Sequence, residues 1–579
     1  MDPAKRHLLR DAWRLIVPYW TSEEKWSARG LLTGVIALNL GSVYIGVRIN
    51  EWNRGFYNAL QTYDKGELIH QFWIFCLLGV SAMLISVNAL YLNQWLQIRW
   101  RRWLTRRYLT EWLSDRAYYH LQYLSTTDNP DQRISEDLSQ FTAYAMNLSV
   151  GLISSVVSLV SFLFILSQLS GSADIPLGSL GTLHIPAILV WSALLYAGIG
   201  TWLTILVGRP LVSLNFARQR YEADFRFSLV RLRENTESIA FYGGEPIELG
   251  VFHDRFSSVF TNFMGIMTRQ RILGFFTQGY AQMATIFPYL VIAPSYFDKL
   301  ITLGGLMQIV NAFSFVQNSL SFIVNSYPDI AAFLAVTQRL SVFEERLHAI
   351  REGISAPRRI RIHYNGKGMN VRELDLDLPD GTPLLRGVSF APKKGESFLV
   401  TGPTGIGKTT VLRAIAGIWM FGSGEIRLGD ERILFVPQRF YLPLGTLENA
   451  LLYPYQENGS SNHFDEILER VGLGSFVDEI EAVDNWSQRL SLGEQQRLAF
   501  ARVLLAKPSV VFLDETTSAL DEEAEAELYS LLRTAPWRPT VVSFGHNTSL
   551  HRFHDDVFDL SECRANGARK SVRTSGVRV

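Results

Sequence analysis

Long apolar runs constrain this chain more than any other feature of its sequence. A helix needs about 20 apolar residues to cross the hydrocarbon core of a bilayer. Six runs reach that length, at 30–49, 71–93, 144–168, 185–207, 274–297 and 301–326. Any one run could be a buried core helix of a soluble protein, but six of them argue against that alternative. We therefore predict an all-α membrane domain with six spans, followed by a soluble α/β domain.

Arginines indicate how these spans are oriented. The segments 99–107 and 209–233 are rich in arginine, whereas the loop 169–184 contains neither Lys nor Arg. The positive-inside rule places the first two segments in the cytoplasm and the loop outside. Six spans then leave both termini in the cytoplasm.

The two arginine-rich segments are also long. About 50 residues separate the second span from the third, and about 65 separate the fourth from the fifth. Both contain few Gly or Pro, so we predict helices that extend tens of ångströms below the bilayer at 1.5 Å per residue. Residues 1–28 carry Trp13, Tyr19 and Trp20 near basic side chains, which predicts a helix lying in the membrane surface.

Polar side chains follow one face of each of the last two spans. In the sixth they are Asn311, Ser314, Asn318, Ser321 and Asn325, and in the fifth they are Gln278, Gln282, Thr285 and Tyr289. Their three- and four-residue steps place each set on one side of a helix. Such stripes either hold helices together or line a water-filled cavity. Because helix contacts usually need only one or two such residues, we favour a cavity for hydrophilic cargo, with Gln278, Gln282, Asn311, Asn318 and Asn325 as candidate lining residues.

The soluble half contains a phosphate-binding loop. The run GPTGIGKTT fits G-x-x-x-x-G-K-[ST], and its residues are Gly402, Pro403, Thr404, Gly405, Ile406, Gly407, Lys408, Thr409 and Thr410. The glycines let backbone N–H groups approach phosphates, Lys408 reaches the β- and γ-phosphates, and Thr409 offers a hydroxyl to Mg²⁺. A predicted strand at 397–400 precedes the loop and a predicted helix follows it, which is the context that the motif requires.

Four further elements follow in a fixed order. They are Gln438 in VPQRF, the segment LSLGEQQR (490–497), the segment SVVFLDETTSALD (509–521) and His546 in SFGHN. A lone Gln or His is usually an ordinary surface residue, but the order and spacing of this set resemble the nucleotide-binding domain of ATP-binding-cassette (ABC) proteins. The sequence thus predicts a chain that binds and hydrolyses ATP.

The resemblance also implies a role for each residue. Asp514 would hold Mg²⁺, and Glu515 would be the general base that polarises the attacking water. Gln438 would sense Mg²⁺ and the γ-phosphate, and His546 would contact the γ-phosphate. In this family Ser491 and Gly493 cap the γ-phosphate bound by the opposite ATPase domain, and Asp521 ends the SALD motif beside the nucleotide.

Two departures from the family pattern concern nucleotide binding. In LSLGEQQR, Leu492 replaces a glycine and Glu494 replaces a glutamine of the common LSGGQ signature. The family usually stacks adenine on an aromatic residue before the phosphate-binding loop, but the stretch 371–385 contains none. Tyr364 is the nearest upstream aromatic residue, and an aliphatic side chain is the alternative.

The chain has one phosphate-binding loop and one signature. Because each ATP lies between the two motifs of different domains in this family, the resemblance implies a half-transporter, with homodimerisation as the default. The predicted fold is a six-span exporter-type ABC transmembrane domain with a cytoplasmic α/β P-loop ATPase domain. The predicted boundaries are a surface helix at 1–28, a membrane domain at 29–340, a linker at 341–370, the ATPase domain at 371–564 and a basic tail at 565–579.

Segments of the membrane half indicate which group of ABC transporters the chain resembles. The segments DNPDQRISED (128–137) and RENTESIAFYGGEPIE (233–248) resemble the peroxisomal ABCD half-transporters and the bacterial SbmA/BacA peptide transporters. The segments NEWNRGFYNALQ (50–61) and QWLQIRWRRWLTRRYLTEWL (94–113) point to the SbmA/BacA side. An isolated Asn-Pro could be a mere turn, but four segments in register argue against that. SbmA and BacA themselves lack an ATPase domain and use protons, so the fused ATPase implies ATP as the driver.

This group implies uptake of hydrophilic cargo across a bacterial inner membrane, such as antimicrobial peptides, bleomycin-like glycopeptides or cobalamin. The alternatives are export and transport of acyl-CoA-like lipids. A soluble ABC ATPase is excluded by the spans, and a receptor without turnover is disfavoured by an intact Glu515. With 55 basic and 55 acidic residues the net charge is zero, which removes the electrostatic argument for nucleic-acid binding. Two cysteines exclude a disulfide framework.

Overall fold

The computed structural model describes residues 3–124, 129–169, 173–176, 182–185, 187–354, 360–364, 368–429, 432–455, 463–546 and 548–565. These residues form two compact units. The first contains Met1–Glu111 and Thr127–Arg346, and the second contains Trp112–Thr126 and Leu347–Val579. Half of the arginine-free loop 169–184 and nearly all of the basic tail lie outside the described residues.

Helices dominate the first unit. The helices before the ATPase domain are α1 (Pro3–Thr21), α2 (Lys25–Gln61), α3 (Lys65–Leu113), α4 (Ala117–Leu124), α5 (Pro130–Gln132), α6 (Leu138–Leu169), α7 (Ile188–Glu234), α8 (Thr236–Tyr242), α9 (Glu245–Phe297), α10 (Leu303–Leu320), α11 (Phe322–Asn325) and α12 (Tyr327–Ile354). Strands β1 (Ala173–Pro176) and β2 (Thr182–Ile185) form an antiparallel pair. The predicted long cytoplasmic extensions are helical, since α3, α7 and α9 each continue well past the apolar runs.

Four helical stretches among the described residues are long and apolar enough to cross a membrane. They contain the first three predicted spans, and the fourth from residue 188 onward. The fifth and sixth predicted spans lie on α9 and α10. The polar stripes interrupt the apolar sequence of these two helices, so their composition alone does not indicate that they cross a membrane. The sixth is also not one helix over 301–326, since single turn residues at Ser321 and Ser326 separate α10, α11 and α12. Backbone hydrogen bonds continue across these positions, for example from the Asn325 N–H to the Ser321 carbonyl at 2.9 Å.

The segment NEWNRGFYNALQ holds the start of α10 against α2. Asn58 Oδ1 accepts a hydrogen bond from the Gly304 N–H (3.0 Å), and Gln61 Oε1 accepts one from the Leu303 N–H (2.9 Å). Both satisfy N–H groups that a helix start leaves without a partner. A Cβ on Gly304 would lie 2.1 Å from the Arg54 carbonyl oxygen, so only glycine permits this approach.

The second unit contains two larger sheets and one two-stranded antiparallel sheet, with helices around them. Its strands are β3 (Ile360–His363), β4 (Asn370–Asp377), β5 (Pro383–Phe390), β6 (Ser397–Thr401), β7 (Gly422–Arg427), β8 (Ile433–Val436), β9 (Gly445–Thr446), β10 (Val483–Asp484), β11 (Val510–Asp514), β12 (Thr540–Phe544) and β13 (Asp556–Asp559). Its remaining helices are α13 (Lys408–Ile415), α14 (Leu447–Leu452), α15 (Phe464–Arg470), α16 (Trp486–Arg489), α17 (Leu492–Ala506) and α18 (Glu522–Arg533).

The larger sheet is parallel, with the strand order β13-β6-β12-β11-β8. The smaller sheet has the order β3-β7-β4-β5, with antiparallel pairs on both sides of β4. Strands β11 and β12 are fully buried, as expected of central parallel strands covered on both faces. Strand β3 already belongs to the ATPase domain although it lies in the segment predicted as a linker, and α12 extends into that segment from the other end.

Helix α4, which lies between the second and third predicted spans in sequence, packs within the second unit. The Arg116 guanidinium donates a hydrogen bond to the Ala416 carbonyl, at the end of α13. The ring of Tyr123 meets Trp419 edge-on, with centroids 5.4 Å apart. The turn between the second and third predicted spans is therefore attached directly to the ATPase domain.

Candidate active site

The phosphate-binding loop lies between β6 and α13, as the sequence predicts. Gly402, Gly405 and Gly407 have φ values of +150°, +80° and +116°, a region that favours glycine. The Ile406 N–H donates to the Pro403 carbonyl at 3.2 Å, which closes the loop. The loop thus leads into the N-terminus of α13, where free backbone N–H groups and the helix dipole favour an anion.

The parallel sheet brings the catalytic candidates together. Strands β6, β12, β11 and β8 are neighbours in that order. Their carboxyl ends carry the phosphate-binding loop, His546, Glu515 and Gln438, respectively. Ligand sites of parallel sheets usually lie outside these ends.

Glu515 is the centre of this cluster. Its Oε1 lies 3.0 Å from His546 Nδ1 and 3.8 Å from Lys408 Nζ, and its Oε2 accepts a hydrogen bond of 3.0 Å from Gln438 Nε2. Lys408 is buried and also donates to the Gly402 carbonyl at 2.9 Å. The backbone of Glu515 has φ of +49°, a strained conformation for a non-glycine residue and one that clusters at functional sites.

Asp514 and Thr409 form the candidate metal site. Thr409 Oγ1 donates to Asp514 Oδ1 over 3.4 Å, and only 2% of Asp514 is exposed. Burial raises the pKa of the Asp514 carboxyl, and the charge of Glu515 adds to that increase, while the Thr409 hydrogen bond opposes it. A hydroxyl, a carboxylate and a nearby amide are the oxygen donors that Mg²⁺ prefers, so Thr409, Asp514 and Gln438 fit the ion.

The signature segment starts α17. Ser491 is its N-cap, and the Ser491 hydroxyl donates to Glu494 Oε2 at 2.7 Å, while the Ser491 N–H donates to the same oxygen at 2.8 Å. The Ser491 hydroxyl also accepts a hydrogen bond of 3.4 Å from the Glu494 N–H, which completes a capping box. Glu494 thus fixes the serine that the family resemblance assigns to a γ-phosphate. Leu492 is 57% exposed beside it. Gly493 packs against the segment that contains Leu520.

Asp521 has a structural contact that the sequence did not predict. Its Oδ1 accepts a hydrogen bond of 2.8 Å from the Ala524 N–H and so caps α18. Its contact with nucleotide stays a prediction.

Sequence reasoning also missed two buried polar residues behind the site. Gln496 on α17 accepts a hydrogen bond from the Ala519 N–H at 3.1 Å and donates to Ser518 at 3.3 Å. The Glu525 carboxylate accepts hydrogen bonds from Thr517 (2.6 Å) and Ser549 (2.8 Å). Both residues connect the signature helix, the SALD segment and the segment after His546. Their partners lie up to 24 residues away in sequence, so no local motif could have identified them.

The candidate cargo residues belong to the other unit. Gln278 and Gln282 on α9 are exposed, as are Asn318 and Asn325, while Asn311 on α10 is partly buried. Their lining of a cavity stays a prediction.

Comparison with known proteins agrees with this geometry. The family model described as ABC transporter transmembrane region 2 matches residues 14–297, and the model described as ABC transporter matches residues 385–518. The fold and the site thus define an ATP-hydrolysing membrane transporter.

The relatives narrow the class. ABC transporter D family member 2, chloroplastic, of Arabidopsis thaliana is 35% identical over 99% of this chain and 90% of its own length. The inner membrane ABC transporter ATP-binding protein YddA of Escherichia coli is 32% identical over 94% of this chain and 96% of its own. The human lysosomal cobalamin transporter ABCD4 is 27% identical over 94% and 93%. The chain belongs to the ABC transporter family, as a half-transporter of the D type.

A solved structure shows the fold. It is that of a bacterial Atm1-family ABC exporter with ATP bound, and it matches 92% of this chain and 94% of its own with a TM-score of 0.69 at 16% identity. The predicted exporter-type architecture is confirmed.

Proposed function

We propose that this chain works as a homodimer that imports large hydrophilic solutes across a bacterial inner membrane, driven by ATP. Antimicrobial peptides are the proposed cargo class, with cobalamin or glycopeptides as further candidates. The observation that carries the ATP-driven step is the Glu515 carboxylate, which His546, Gln438 and Lys408 hold beside the phosphate-binding loop.

Each residue then has a role in hydrolysis. Glu515 accepts the proton of the attacking water, and His546 orients that carboxylate and contacts the γ-phosphate. Lys408 and the loop N–H groups hold the phosphates. Bound Mg²⁺ neutralises phosphate charge, and Thr409, Asp514 and Gln438 would hold it. The Ser491 hydroxyl and Gly493 of a second copy complete the site.

An exposed apolar tip supports a second copy. The turn between α8 and α9 is flanked by Phe241, Tyr242 and Ile247, which are 82%, 89% and 74% exposed. The corresponding cytoplasmic turn at α4 is packed on the ATPase domain of its own chain. In a two-fold dimer, the tip beside α8 would contact the ATPase domain of the second copy.

The cargo is inferred from the polar stripes and from the SbmA/BacA resemblance. Gln278, Gln282 and Asn318 are uncharged and exposed in one protomer, so a dimer could enclose them around a wet cavity. The human relative named a cobalamin transporter is consistent with hydrophilic cargo. Membership of the SbmA/BacA-like group and uptake of peptides are both parts of this proposal.

Export or transport of acyl-CoA-like lipids is the second candidate. The likeness to an Atm1-family exporter and the D-type relatives favour it. An acyl-CoA cargo should need basic residues for its phosphates, and the candidate stripes carry none.

Uptake in cells tests the proposal. Cells that lack their own importer would receive labelled peptide or labelled cobalamin, with wild-type protein, Glu515→Gln or Lys408→Ala. We expect uptake with wild-type protein and a loss of at least about 100-fold in either variant, because each removes a group that acts in hydrolysis. Uptake that persists in both variants would exclude ATP as the driver, and no uptake with wild-type protein would favour export.

A further inference from the structure

The sequence contains no aromatic residue at the position where the family usually stacks the base of the nucleotide. No aromatic residue occurs in 371–385. The β4–β5 hairpin nevertheless lies beside the phosphate-binding loop, because a Cβ on Gly407 would be 3.1 Å from Leu384 Cδ2. A nucleotide with its phosphates at the start of α13 therefore meets this hairpin next.

An open hollow of about 540 Å³ lies at the end of the smaller sheet, where β4 ends and β7 begins. Its lining residues are Asp377, Leu378, Pro379, Gly381, Phe421, Gly422 and Ser423. Its volume is within the range of small-molecule sites. Strand β4 lies between β7 and β5, and neighbouring strands are about 4.8 Å apart. The hollow is therefore only one or two strand spacings from the Leu384 side chain that contacts the loop.

Local backbone geometry fixes the two walls of this hollow. The Asp377 N–H donates to the Phe421 carbonyl at 3.1 Å. The Gly381 N–H donates to the Leu378 carbonyl at 2.9 Å, which closes the hairpin turn. Gly422 has φ of +144°, and a Cβ there would lie 2.1 Å from the Asp375 carbonyl oxygen. Only glycine lets β7 start this close to β4, which brings Phe421 beside Leu378.

We propose that Phe421 stacks on the base of the bound nucleotide, with Leu378 as the opposite wall. The aromatic residue then comes from the start of β7 rather than from the hairpin. This rests on the proposed function, since it requires that the phosphate-binding loop holds a nucleoside triphosphate. Because every base has a π-face, stacking is tolerant of base identity, so GTP should bind nearly as well as ATP.

The same ring connects the base to α4. Phe421 lies edge-on to Trp419 at 5.5 Å and to Tyr123 at 6.4 Å between centroids. Trp419 Nε1 donates to the Asp377 carbonyl at 3.1 Å, next to Leu378. Base occupancy thus bears on α4, by a route separate from Gln438.

Nucleotide binding to the full-length protein in lipid nanodiscs tests this site. The probes are ATP, GTP and inorganic tripolyphosphate, each with Mg²⁺. We expect Phe421→Ala to weaken ATP and GTP binding by about tenfold or more, the size of one base–aromatic stack, and to leave tripolyphosphate binding unchanged. Phe421→Trp should retain ATP affinity, and Phe421→Leu, which keeps the apolar volume, should weaken it without affecting folding.

Tyr441→Ala is the matched control, because Tyr441 is an exposed aromatic residue of the same unit that does not line the hollow. It should bind all three probes like wild type. Unchanged ATP binding in both Phe421→Ala and Phe421→Leu would overturn the proposal, as would an equal loss of tripolyphosphate binding. A failure of wild-type protein to bind any probe would instead contradict the proposed function.

Discussion

At the scale of single residues, the candidate metal ligand Asp514 lowers the stability of the folded protein at neutral pH. Its carboxyl is almost fully buried and adjoins Glu515, and both features raise its pKa. An unfolded Asp has a pKa of about 3.9, so the folded protein holds this proton more tightly than the unfolded chain does. The contribution of Asp514 to stability therefore falls as pH rises above about 4. The site accepts this cost because the ionised carboxylate is what Mg²⁺ requires.

The variant Asp514→Asn should accordingly be more stable than wild type when neither Mg²⁺ nor nucleotide is present. We expect a gain of about 1 kcal/mol near neutral pH, because the amide removes a desolvated charge and its repulsion with Glu515. Thermal unfolding at several pH values measures it, and the gain should shrink as pH falls towards 4. Mg²⁺ and ATP should stabilise wild type much more than the variant. A variant that is less stable at every pH would contradict this account.

The candidate catalytic residues could be picked from the sequence because each belongs to a short motif with fixed spacing. Lys408, Asp514, Glu515 and His546 lie at one edge of the parallel sheet, and their catalytic roles stay predictions. Glu525 could not be predicted, since its function depends on two hydroxyls from distant segments. The capping contact of Asp521 was also missed, although Asp at the start of a helix is a common cap.

At the scale of elements, a buried ion cluster holds two helices of the membrane half together. Asp137, at the end of the DNPDQRISED segment, is buried. Its carboxylate accepts hydrogen bonds from Arg339 on α12 at 2.6 and 2.9 Å and from Arg133 at 3.0 Å. The segment that follows α4 is thereby joined to α12, which leads to the ATPase domain. The sequence singled out this segment only as a resemblance, because Arg339 lies 202 residues away.

Asp137→Asn should therefore destabilise the protein by about 3 kcal/mol, because it removes the buried charge that Arg339 and Arg133 both contact. Asp224→Asn is the control, since Asp224 pairs with Arg255 at 3.6 Å with both side chains about half exposed. Its effect should stay below about 1 kcal/mol. Thermal unfolding in detergent compares the two, and equal effects would show that the Asp137 cluster adds nothing beyond a surface pair.

Helix positions followed from the apolar runs, but their lengths did not. The runs mark only what crosses a membrane, whereas α3, α7 and α9 have 49, 47 and 53 residues. Polar stripes on α9 and α10 lower their apolar character, so composition alone supports four spans among the described residues. The single turn residues at Ser321 and Ser326 could not be predicted, because the three- and four-residue spacing of the polar side chains continues across this region.

At the scale of the whole molecule, the proposed dimer requires one chain to provide two different halves of an ATP site. The phosphate-binding loop with Glu515 would form one half, and Ser491 with Gly493 would form the other. The tip between α8 and α9 is exposed, whereas the turn at α4 is packed on the ATPase domain, and this asymmetry is consistent with a second copy of the chain.

Flux in proteoliposomes tests the central claim, ATP-driven import, most directly. Labelled proline-rich peptide would be sealed inside the vesicles, and Mg²⁺-ATP would be added outside, so that only transporters with outward-facing ATPase domains are active. Import in the cell corresponds to movement towards the ATPase side, so we predict that peptide leaves the vesicle with wild-type protein and stays inside with Glu515→Gln. Release that is the same without ATP, or ATP-dependent accumulation of external peptide in the lumen, would contradict the account.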